Sequence, residues 1–83
     1  MKPLTQYGRL AEKHWREFLP KMVAKLEAKG QLHEMLLEAE EQTEKDLDRI
    51  RRQFIQWGLT PQQAHDQAWE MVRGRYIFLP PES

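Results

Sequence analysis

Residues 31–57, QLHEMLLEAEEQTEKDLDRIRRQFIQW, decide the fold. Leu32, Leu36, Ala39, Thr43, Leu47, Ile50, Phe54 and Trp57 follow one another at steps of three or four. That spacing lines up one face of a helix and comes close to a heptad repeat. Glutamates crowd the first half of the stretch and Arg49, Arg51 and Arg52 its last turns, the polarity that the helix dipole favours. At about 1.5 Å per residue the helix is roughly 40 Å long. This exceeds what a small domain needs, and the excess predicts a homodimer. Gly58 ends the helix.

Upstream, Tyr7, Leu10, Ala11, His14, Trp15, Phe18, Leu19, Met22, Val23 and Leu26 form a second stripe of the same period. The spacing predicts a helix over residues 5–28, capped by the Thr5 hydroxyl. Pro20 lies on its outer face, where the ring removes one backbone hydrogen bond and crowds the preceding turn. Both a kink and a break with Pro20 opening a second short helix fit this; the first helix is taken as Pro-kinked. Gly30 closes the segment behind Lys25 and Lys29.

Downstream, Gly58-Leu59-Thr60-Pro61-Gln62-Gln63 is a helix start: Thr60 is the N-cap, Pro61 the first helical residue and Gln63 the partner in a capping box. The helix is expected over 61–73, with Ala64, Ala68, Met71 and Val72 inward. The tail, 74–83, carries Tyr76-Ile77-Phe78-Leu79-Pro80-Pro81 and reads as extended. An apolar tail left in water invites aggregation, so it must cover its own bundle or a partner. The expected fold is all-α: one domain over 1–83, a three-helix bundle or helical hairpin with Trp15, Trp57 and Trp69 as core anchors.

A chain of 83 residues buries only about 60% of its unfolded surface, so stability is marginal unless packing is good or a second copy contributes. The absence of cysteine excludes disulfides, thiolate nucleophiles and cysteine zinc sites. The longest apolar run, Tyr76–Pro81, is too short to span a bilayer, and the first residues lack the apolar core of a signal peptide. The expected location is cytoplasmic, away from membranes. Net charge is zero but segregated: residues 1–29 carry seven Lys/Arg against three Glu, and residues 31–48 carry seven acids against Lys45. A basic helix lying beside an acidic one accounts for this.

Few residues offer chemistry. Ser83 is the only serine, and the threonines have cap or core roles, so a hydrolase triad has no nucleophile. His33-Glu34 is followed at the next metal-ligand spacing by Leu37, so the H-E-x-x-H pattern fails. No Glu stands three residues before a His. The glycines are isolated, and no phosphate loop exists. His14 reads as a hydrogen-bonded, partly buried side chain. The residues therefore point to a non-enzymatic protein without cofactor or metal.

The turn at Gly58–Pro61 also matches a helix-turn-helix in outline. In that alternative, Gln62, Gln63 and His65 touch base edges while Arg73 and Arg75 touch phosphates. The basic N-terminal helix offers a second route to nucleic acid. Against the first stands the poverty of cations in the first turns of the 61–73 helix, because phosphate neutralisation supplies most of the non-specific affinity; the second needs the basic face to remain unmasked by the acidic helix.

Tyr7-Gly8-Arg9-Leu10, Pro20, Gly30-Gln31-Leu32-His33, Glu41-Gln42, Gly58-Leu59-Thr60 and Asp66-Gln67 near Trp69 together make the chain resemble TnpV, a family of small transposon-encoded bacterial proteins. The ending Tyr76–Pro80 departs from that pattern. The resemblance implies an accessory role beside mobile elements and transfers no catalytic residue. Within its first block, Tyr7 and Leu10 belong to the core stripe and Gly8 suits close helix approach. Arg9 alone has no packing reason. Arg9 and the tail residues Tyr76, Ile77, Phe78 and Leu79 are the candidate contacts to an unidentified protein partner. The leading reading is a non-enzymatic helical interaction protein that self-associates as a homodimer and binds a protein partner through its long-helix surface or apolar tail.

Overall fold

A computed structural model describes residues 3–82; Met1, Lys2 and Ser83, the last of which the expected tail includes, lie outside the described residues. The chain is all-α. Helices α1 (Gln6–Phe18), α2 (Pro20–Ala28), α3 (Leu32–Gln56) and α4 (Pro61–Tyr76) follow in order, and no strand occurs among the described residues. Helix α3 is the spine: α4 returns along it as an antiparallel hairpin, α1 packs on it, and α2 joins α1 to its start.

The N-terminal helix is broken rather than kinked. Leu19 takes φ −132° and ψ 50°, because a residue before proline is pushed out of the helical region. Its N–H still bonds Trp15 O at 2.7 Å and its carbonyl accepts from Val23 at 3.0 Å, so the two helices share one residue as end and start. Pro20 is the first residue of α2, where its missing N–H costs nothing.

Two glycines end helices in the left-handed region, Gly30 at φ 67° and Gly58 at φ 101°. Each belongs to a Schellman turn. Gln31 N bonds Leu26 O at 2.8 Å and Gly30 N bonds Glu27 O at 3.0 Å; Leu59 N bonds Phe54 O and Gly58 N bonds Ile55 O in the same way. The capping box at α4 forms with both of its bonds at 3.2 Å.

Other expectations are corrected. Helix α4 runs to Tyr76 rather than ending at residue 73. Tyr76 stands one turn beyond buried Val72 and is anchored to α3, which holds Gly74 within the helix. Thr5 is the N-cap of α1, but its hydroxyl makes no cap bond. It donates to Glu40 instead. Met71, expected inward, is 49% exposed, and Trp57, expected as a core anchor, is 69% exposed. Trp57 follows the last turn of α3, at the hairpin tip, where no other element covers it.

The core has two connected parts. Ala11, Trp15, Leu19, Val23, Leu32, Leu36, Ala39 and Ile77 fill the first, between α1, α2, α3 and the tail. Leu47, Ile50, Ala68 and Val72 fill the second, between α3 and α4. Tyr7, stacked on Trp69 at 5.4 Å, borders both. The small Ala64, Ala68 and Ala39 let the helices approach closely. Buried Thr43 keeps its hydroxyl satisfied by donating to Ala39 O at 2.7 Å.

Candidate interaction site

The tail straps its own bundle. Ile77 is fully buried, and its carbonyl accepts from the Trp15 indole at 3.1 Å. His14 Nε2 donates to Leu79 O at 2.8 Å, and the Phe78 ring meets His14 and Trp69 edge-on. The Glu82 carboxylate accepts from the backbone N–H groups of Lys21 and Met22, both at 3.1 Å. This supplies the N-terminal cap that an apolar Leu19 cannot give α2. Tyr76 donates its hydroxyl to Asp46 at 3.0 Å. That hydrogen bond, then burial and the Asp46 charge, raise the phenol above its ordinary pKa.

Of the proposed tail contacts, Ile77 thus has no surface to offer a partner. Tyr76, Phe78 and Leu79 are half-buried against the chain's own helices, because the first core has no other cover on that side. Arg9 is exposed on α1. Between Trp15, Met22, Met35, Tyr76 and Leu79 a shallow apolar groove remains, with Glu38 and Arg75 on its rim.

The residues considered for nucleic acid do not form a common cationic face. Gln62 donates to Asp66 at 3.0 Å, Gln63 is held in the capping box and His65 is half-buried. Arg73 pairs with Glu70 at 2.8 Å and Arg75 with Asp46 at 3.4 Å. Gln62 and Arg75 also stand roughly 20 Å apart along the helix.

Much of the charge pairing is within single helices, not between a basic and an acidic one. Glu12–Arg16, Glu41–Lys45, Asp46–Arg49, Asp48–Arg51 and Asp48–Arg52 are one turn apart. Arg16–Glu27 and Arg75–Asp46 join different helices. Such exposed pairs are individually weak.

The surface that the sequence reading missed is the outer end of α3. Ile55 is 43% exposed, half-buried Phe54 tilts against Trp57 at 5.6 Å, and Arg51 and Arg52 point into solvent with Asp48 between them. The run of arginines before Gly58 was its visible signal. Trp57 was hidden because it continues the buried stripe one step past the helix end. Trp and Arg are both enriched in binding hot spots.

The fold defines a small all-α protein built on a helical hairpin, and among its described residues no helix is long and apolar enough to cross a membrane. No family model, no curated protein and no solved structure matches the chain.

Proposed function

We propose that this chain is a non-enzymatic interaction protein of the cytoplasm that works by docking on protein, its own chain included, as an accessory factor beside bacterial mobile elements. The observation that carries the docking role is the α3 tip, where the large apolar side chains Ile55 and Trp57 stay exposed and Arg51 and Arg52 stand on the turn before Ile55. A small domain gains nothing for its own stability from an indole in water, whereas an exposed aromatic anchor suits a protein interface. The mobile-element setting rests on the resemblance of the Tyr7–Leu10 block and its companions to TnpV.

The test is a photo-reactive amino acid at position 57 of the full chain, irradiated in living bacteria that express it. The expected product is a protein adduct of defined mass, to a second copy or to one other protein. Adducts to DNA or RNA in their place would overturn this reading in favour of a nucleic-acid-binding accessory factor.

A further inference from the structure

The outer face of α3 carries a second stripe, opposite in character to the buried one. Leu37, Glu41, Glu44, Asp48, Arg51 and Ile55 recur at steps of four, three, four, three and four, the heptad spacing of a helix that pairs with another. All are surface residues: Glu41 is 64%, Asp48 44% and Arg51 41% exposed at the side chain, Ile55 is 43% exposed, Glu44 is exposed and Leu37 half-buried. The stripe has an apolar residue at each end. Charge is segregated along the helix: Glu34, Glu38, Glu41 and Glu44 occupy the first half and Arg49, Arg51 and Arg52 the second, with Lys45, Asp46 and Asp48 between them pairing locally with Glu41, Arg49 and Arg51.

A face with acid at one end and base at the other complements itself when turned end for end, the relation that a two-fold axis imposes. We propose that two copies of this chain pair antiparallel through the outer faces of α3, with the axis near Asp46. The inference rests on the reading of the chain as an interaction protein and names its partner.

In this register Leu37 of one copy meets Ile55 of the other, and Glu41 meets Arg51, each contact occurring twice. Glu44 falls opposite Asp48, which already holds Arg51 and Arg52 at 3.2 and 3.0 Å, so that the acid meets a neutralised neighbour. The chain's proportions agree with a pairing partner. Its radius of gyration is 14.3 Å and its extents are 47 × 32 × 14 Å, whereas a compact chain of this length has a radius of about 12 Å.

The experiment is sedimentation equilibrium on the full chain and on Glu41→Arg, Arg51→Glu and the double variant, with circular dichroism to verify folding. Each single reversal should weaken the dimer roughly tenfold or more, since it acts at two symmetric contacts and turns attraction into repulsion. The double variant should restore it, because the reversed charges again face their opposites. A second measurement does not depend on charge. With Leu37→Cys and Ile55→Cys together, mild oxidation should give covalent dimers, and neither single change should. Within one chain the two positions lie about 27 Å apart, beyond disulfide reach. A monomer at all concentrations would overturn the proposal; if position 57 still captured another protein, the interaction reading would survive it. A dimer indifferent to both tests would overturn the α3 register.

Discussion

Gly8 and Glu40 occupy one another's space. A Cβ at position 8 would run into the Glu40 carboxylate and come within 2.9 Å of the Leu4 side chain. Glu40 is itself 6% exposed, and its Oε2 accepts from Thr5 N and Thr5 Oγ1, both at 2.8 Å. The glycine therefore lets a buried carboxylate on α3 fix the start of α1. Gly8→Ala should destabilise the fold by about 1–3 kcal/mol, the usual effect of overpacking. This is opposite to the gain expected of an alanine in an open helical site, and chemical denaturation reads the sign directly.

Glu40 marks where the sequence stopped being legible. Its neighbours Glu38 and Glu41 are solvated, and nothing in a run of acids distinguishes the one that a glycine thirty-two residues upstream has room for. By contrast, Gly30, Gly58 and the Thr60–Gln63 box could be read directly, because capping depends on residues three or four apart. The break at Leu19 was one of two outcomes that local chemistry permitted; Glu82, far off in sequence, caps the second helix. Trp57 was misplaced for a related reason. Periodicity identifies a face but not the point at which the neighbouring helix stops covering it.

Truncation should separate core from surface. Trp15→Ala, Leu47→Ala and Ile77→Ala remove side chains that are 3%, 4% and 0% exposed, and each should cost about 2–5 kcal/mol. Glu38→Ala, on the solvated face, should cost under about 0.5 kcal/mol. For Ile77 the thermal unfolding midpoint is decisive: an unchanged value would mean that the tail does not strap the bundle.

Trp57→Ala should barely change stability, by about 0.5 kcal/mol or less, as expected of a surface site. Acrylamide quenching offers an independent reading. Trp57→Phe should remove the readily quenched part of the emission and leave that of buried Trp15, which acrylamide reaches poorly.

Alkaline pH should loosen the tie between α4 and α3. The Tyr76 phenol is raised above its ordinary value of about 10 by its bond to Asp46, so the folded state favours its neutral form. Its contribution is complete below the unfolded value and is lost as pH rises through the folded one. Melting curves from pH 8 to 12 should show the advantage of the parent over Tyr76→Phe constant up to about pH 10, and shrinking above it. A difference independent of pH would remove the titration from the account.

Duplex DNA should bind weakly and be released by moderate salt. Net charge is zero, and Arg73 and Arg75 are paired with Glu70 and Asp46, so few counterions are freed on contact with phosphates. Arg73→Gln with Arg75→Gln should therefore leave whatever binding exists nearly unchanged. Fluorescence anisotropy across a salt series measures both quantities. Submicromolar binding at physiological salt, with a log–log slope of several units that the two changes reduce, would make α4 the reading helix and α3 its support.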